Sequence, residues 1–206
     1  RLRQSALQNE SVVIGQHGVM DALPFQLQPA HQVLQQLRPR LLIADTVGLG
    51  KTLEAGILTA ELMRRGKARR ILVVTTKSMM RQFQQEFWNR FTIPLTRLDS
   101  AGIQRIRRDI PANHNPFNYY DRTIISVDTL KRDSEYRHYL ESAWWDLIII
   151  DEAHNVSYKG NRTQSNRLAE LLSQRSDALI LLTATPHNGK KDSFASLVRM
   201  LDPTVL

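Results

Sequence analysis

The chain has 206 residues, 42% hydrophobic and 23% charged, the composition of a folded domain and not of a disordered tail. Lys and Arg number 28 against 20 Asp and Glu, so the net charge is +8, which suits a polyanionic partner and equally an ordinary basic surface. The absence of cysteine excludes disulfides and thiolate metal sites and fits a cytosolic setting, and no apolar run approaches the ~20 residues of a membrane-spanning helix.

The first residues, "RLRQSALQNE", lack the apolar stretch of a signal peptide. The chain opens without Met and closes on "LDPTVL", and is expected to be a piece of a longer protein, with residues 1–24 a lead-in and 25–206 one domain. The first predicted strand is "RLLIAD" (Arg40 to Asp45), followed by a helix from Lys51 to about Arg65 that Gly66 stops. Next, "RILVVTT" (Arg70 to Thr76) leads into "SMMRQFQQEFWNRF". There Ser78 is the predicted N-cap, and Met79, Phe83, Phe87 and Phe91 share a helical face. The segment Asp99 to Asp121 mixes arginines with prolines and asparagines and reads as a basic surface excursion, with Arg105, Arg107 and Arg108 on a solvated helix face. "RTIISV" (Arg122 to Val127) precedes "DTLKRD", and "DLIII" (Asp146 to Ile150) precedes "DEAH" and a loop from Val156 to Ser165. "ALILLT" (Ala178 to Thr183) runs into "ATPHNG" and a last helix. Strands this uniformly apolar are covered on both faces, and their alternation with helices predicts an α/β fold with a mostly parallel sheet.

The turn "DTVGLGKT" lies between a strand and a helix, where unpaired N–H groups and the helix dipole favour an anion. Gly48, Leu49 and Gly50 would bring backbone close to phosphate oxygens, Lys51 would reach the β/γ-phosphates, and the Thr52 hydroxyl would ligate Mg²⁺. A strict phosphate-loop pattern opens on glycine where this chain has Asp45, so the match is to a variant loop; the plain alternative is a glycine turn beside a solvated lysine. Asp151 ends a buried strand, as a carboxylate that holds Mg²⁺ does, and Glu152 is the candidate base or orienter for an attacking water. No companion ligand cluster makes His154 a metal ligand. Thr183 and Thr185 stand at another strand end, where their hydroxyls could meet the DEAH turn.

These residues in this order resemble the superfamily-two helicase-like ATPases, and within them the Snf-type DNA translocases. "ADTVGLGKT" resembles motif I, "ILVVTTKSMMRQFQQEF" motif Ia, "ISVDTLKRD" motif Ib, "DEAH" motif II and "LLTATP" motif III. "LQPAHQ" resembles the adenine-recognising glutamine motif, with Gln32 as its glutamine. The "EAG" after motif I and the ending "TATPHNGK…LDP" are similar to bacterial members, including the RNA-polymerase-associated recycling ATPases. The resemblance implies a RecA-like lobe that uses ATP and Mg²⁺ and couples motif II to motif III through His154, Thr183 and Thr185. It implies nucleic-acid backbone contacts, double-stranded DNA foremost, from Lys77, Ser78, Ser126 and Thr129. It also implies no membrane partner and a cytoplasmic setting, the bacterial cytosol or nucleoid.

Two departures stand out. Thr46 occupies a position where the family carries Glu. The family also completes its site with a second RecA-like lobe that supplies an arginine finger, and too few residues follow motif III to form one. The expectation is therefore one lobe of a two-lobe motor, with nucleotide binding but slow hydrolysis. The alternatives are a DEAH-type strand-separating RNA or DNA helicase lobe and a nucleic-acid-binding or protein-docking module with a non-hydrolysing nucleotide site. A small-molecule phosphate-loop kinase would have no need of DEAH and TATP together.

Overall fold

The structure, a computed structural model, describes residues 36, 38–44, 50–132, 134–158, 160–185 and 191–204. Among the described residues six strands form one parallel sheet: β1 (Arg40–Ala44), β2 (Ile71–Thr75), β3 (Thr96–Leu98), β4 (Arg122–Ser126), β5 (Trp145–Ile150) and β6 (Ser176–Thr183). Their order across the sheet is β1-β6-β5-β2-β4-β3. Between them run α1 (Lys51–Arg64), α2 (Met80–Phe91), α3 (Ser100–Asp109), α4 (Val127–Arg132), α5 (Ser134–Ser142) and α6 (Gln164–Ser173), and α7 (Lys191–Leu201) follows β6.

The two-residue period of a strand explains why these strands read as unbroken apolar runs. Ile71 and Val73, Leu147 and Ile149, and Ile180 and Leu182 face one core with α1 and α2. Leu72 and Val74, Ile148 and Ile150, and Leu179 and Leu181 face a second core with α3 to α7. Each such buried side chain contributes about 1.5–3 kcal/mol relative to exposure. Within the first core the Phe83 and Phe87 rings lie 4.7 Å apart and Phe87 meets Phe91 edge-on at 6.0 Å. Phe91 packs against the bare backbone of Gly56, where a Cβ would occupy the ring's own space.

Gly66 ends α1 as expected, at φ 71°, with its N–H on Met63 O and the Lys67 N–H on Leu62 O. Ser78 does not cap α2, which begins at Met80; the Ser78 hydroxyl lies 3.1 Å from that of Thr76 instead. Nor is the segment after Asp99 a surface excursion. Asp99 caps α3 by accepting from the Gly102 N–H, and Ile103, Ile106 and Phe117 are buried in the second core. The expected helix face survives within it, since Arg105 and Arg108 are exposed.

Candidate nucleotide and nucleic-acid site

In an open parallel sheet, ligands bind outside the carboxyl ends of the strands. The strand order lines up those ends so that β1, β6 and β5 lie together on one side and β2 and β4 on the other. The carboxyl end of β1, the DEAH turn after β5 and Thr183 at the end of β6 therefore share one stretch of edge.

Gly50 adopts φ 96° and ψ 28°, a conformation that glycine alone reaches without steric cost, and its carbonyl accepts the first α1 bond from the Glu54 N–H at 2.9 Å. Lys51 and Thr52 are therefore the first two residues of α1, at the helix end whose dipole favours an anion. Gln32, Thr46, Gly48 and Leu49 lie outside the described residues.

Asp151 is fixed by three bonds. Its N–H donates to Val74 O at 2.8 Å, its Oδ2 accepts from the Thr75 hydroxyl at 2.8 Å, and its Oδ1 accepts from the Glu152 N–H at 2.9 Å. Burial pushes the pKa of this carboxyl up; the Thr75 bond opposes that, the Glu152 carboxylate adds to it, and the Glu152 N–H and the Lys51 charge oppose it. A half-buried carboxylate held in place by neutral donors is well suited to a cation. The available donors are a carboxylate and a hydroxyl, hard oxygens of the kind magnesium takes in small number beside phosphates. Among the described residues there is no group of three His, Cys, Asp or Glu placed to hold a metal ion.

Glu152 sits at φ 49° and ψ 46°, a left-handed conformation costly for a residue with a Cβ, of order 1–3 kcal/mol. The turn so made aims the Glu152 N–H at Asp151 and brings its carboxylate to His154, whose Nδ1 lies 3.2 Å from Glu152 Oε2. The same Nδ1 is 3.3 Å from Thr183 Oγ1, and Thr183 is fully buried at the end of β6. The expected meeting of the DEAH turn with the β6 threonines thus forms through the Thr183 hydroxyl. Thr185 is exposed, and it is its backbone N–H, not its hydroxyl, that donates to Thr183 Oγ1 at 3.2 Å.

Two further groups, neither of them among the sequence candidates, hold this turn. Thr75 reads in sequence as the end of an apolar strand, yet it is the side chain that orients Asp151. Ser157 donates to His154 O at 2.9 Å and its hydroxyl lies 2.6 Å from that of Ser193, tying the segment after DEAH to α7.

On the β2 and β4 side, Lys77 and Ser78 are exposed beyond the end of β2. Ser126 is different: it is 2% exposed, and its hydroxyl caps α4 by accepting from the Thr129 N–H at 3.1 Å, with the Thr129 hydroxyl 2.9 Å away. Asp128, in the first turn of α4, pairs with Lys131 at 2.7 Å.

Residues 30–206 match the family model described as the SNF2-related domain. Over 92% of its length the chain is 35% identical to RNA polymerase-associated protein RapA of Yersinia pestis (strain Pestoides F) and, to the same degree, of Yersinia pseudotuberculosis serotype O:1b (strain IP 31758). It spans 19% of the length of these relatives. Its fold is similar to the Sulfolobus solfataricus SWI2/SNF2 ATPase core domain, with a TM-score of 0.72 and 21% identity over 95% of this chain and 38% of that one. The same core in complex with dsDNA gives 0.70 and 24% over 90% of this chain and 36% of that one. The Pyrococcus furiosus Hef helicase domain gives 0.64 and 19% over 86% and 35%.

Proposed function

The chain belongs to the SNF2-related domain family, and from that premise we propose that it is the first RecA-like ATPase lobe of a motor that binds Mg-ATP and moves along double-stranded DNA. The observation that carries this reading is the chain of contacts Thr75–Asp151–Glu152–His154–Thr183 at the ends of three strands, on the sheet edge where α1 opens with Lys51. In it Lys51 binds the β/γ-phosphates, and Thr52 and Asp151 hold the magnesium ion, which when bound neutralises charge on the transferred phosphoryl group. Glu152 orients the attacking water, with His154 fixing its carboxylate. Gln32, Gly48, Leu49 and Gly50 complete the nucleotide contacts in the roles their motifs imply.

Lys77, Ser78 and Thr129 supply backbone contacts to nucleic acid, which give grip without reading sequence. Ser126 contributes by shaping α4. A core of the same fold is known in complex with dsDNA, which supports duplex DNA as the polyanion. The net charge of +8 suits it. A second RecA-like lobe supplies the arginine finger, a contribution of roughly 10³–10⁵ in rate, so the 206-residue chain binds nucleotide but turns it over slowly. The setting is cytoplasmic.

Titration of a labelled duplex with the chain at several salt concentrations, paired with ATP turnover with and without duplex, tests this. Salt-sensitive duplex binding with negligible turnover is the expected result. Brisk turnover by the chain alone would overturn the division between two lobes, and no duplex affinity at low salt would overturn the nucleic-acid assignment.

A further inference from the structure

A second concave site lies away from the nucleotide edge. Between α6 and α7 the surface opens into a cleft of about 1020 Å³, reaching from the loop after DEAH to the strand-start edge of the sheet. Arg38 and Arg40 come from the lead-in and first residue of β1, Arg162 from the loop before α6, and Arg199 from α7. Trp144, which immediately precedes β5, forms another part of the wall and is 43% exposed. Glu170 is the carboxylate among the lining residues, 3.6 Å from Arg162.

Four guanidinium groups around one carboxylate leave the cleft electropositive. Part of that charge is fixed rigidly: Arg40 donates to Met200 O at 2.9 Å and to Ser173 O at 2.6 Å, and Arg38 donates to Ser176 O at 3.0 Å. Burial, and next to it the adjacent Arg38 charge, push the pKa of Arg40 down, with Asp177 opposing, as happens where cations are crowded together without enough counter-charge. Arginine is also the side chain that grips a carboxylate with two parallel bonds.

We propose that this cleft docks an acidic, extended segment of a protein partner, its carboxylates on Arg38, Arg162 and Arg199 and an apolar side chain against Trp144. The cleft volume stands at the upper end of the ~300–1,000 Å³ typical for a small-ligand pocket, which leaves room for an extended segment. The composition decides against nucleic acid. The arginines enter from three separate segments instead of following one phosphate track, an arrangement that suits side chains spaced along a peptide. Exposed Trp beside Arg is the pairing enriched at the energetic centres of protein interfaces. The cleft is distinct from the nucleotide edge, so the proposal does not rest on the ATP reading.

The test uses the 206-residue chain and a fluorescein-labelled 12-residue peptide of Glu and Asp interspersed with Leu, followed by anisotropy. The peptide binds the wild type, and Arg162→Gln/Arg199→Gln weakens it by about tenfold or more. Both sites are exposed, so an unchanged melting curve shows that the variant is folded. Lys51→Ala leaves peptide binding unaltered, which separates this site from the nucleotide edge. No peptide binding, equal binding by the double variant, or a 12-nucleotide single strand of DNA that binds at these arginines in place of the peptide would each overturn the proposal.

Discussion

His154 and Thr183 meet across the site: the imidazole Nδ1 lies 3.3 Å from the threonine Oγ1, and the same nitrogen is 3.2 Å from Glu152 Oε2. One ring therefore connects the end of β6 to the carboxylate assigned to the attacking water. With a proton on Nδ1, that single N–H is shared between the two oxygens. Loss of the Thr183 hydroxyl would leave the ring free to turn while sparing the groups that face phosphate. Thr183→Val is expected to lower single-turnover hydrolysis by about tenfold or more, with Mg-ATP affinity within roughly threefold of wild type. Parallel losses of affinity and rate would show that Thr183 serves binding instead.

Asp151 offers a trade between function and stability. Its folded-state pKa is raised, chiefly by burial, so its ionisation disfavours the folded state in the absence of a cation. The corresponding stability is fully present below the unfolded value near 3.9 and is lost as pH rises through the folded-state pKa. Asp151→Asn keeps the shape, its carbonyl accepting from the Glu152 N–H and its amide donating to the Thr75 hydroxyl. The variant is expected to melt higher than wild type at neutral pH without magnesium, and the gap should close as pH falls towards 4. A shift of about 2–4 °C corresponds to each kcal/mol relieved in a domain of this size. Mg-ATP affinity should fall in the same variant.

Gly56 stands in the middle of α1, where alanine would ordinarily favour the helix. Here a Cβ would collide with the Phe91 ring, and the ring is held by Phe87. Gly56→Ala should cost about 1–3 kcal/mol, read from the denaturant midpoint at constant slope. Restoration by Phe91→Leu in the double variant would locate the cost at this contact.

Lys77 and Ser126 share one sheet edge but should behave oppositely. Lys77→Ala leaves stability unchanged, weakens duplex binding and lowers the salt slope by about 0.9 if one phosphate contact is lost. Ser126→Ala removes a helix cap and costs about 1 kcal/mol of stability. A change in salt slope for Ser126→Ala without any loss of stability would reverse that assignment.

The β-strands of the central sheet were legible because burial on both faces leaves a continuous apolar run, as in "LIII" and "LILL". The edge strand β3 was not: three residues with Arg97 exposed carry no such run. Ser78 looked like a cap because it precedes an apolar helical period, but a Thr76–Ser78 turn delays the helix to Met80. In the site, the DEAH turn and the lysine were legible from local spacing. Thr75 was not, because its partner Asp151 is 76 positions away and only the pairing of β2 with β5 brings them together. The same holds for Ser157 and Ser193, joined by tertiary packing alone.

The most direct test of the ATP assignment is a calorimetric titration of Mg-ATP into the 206-residue chain and into Lys51→Ala. Saturable binding by the wild type that the variant loses, at unchanged melting temperature, is the predicted result. Equal binding by both proteins, or no binding by either, would contradict it and favour a nucleic-acid-binding or docking module.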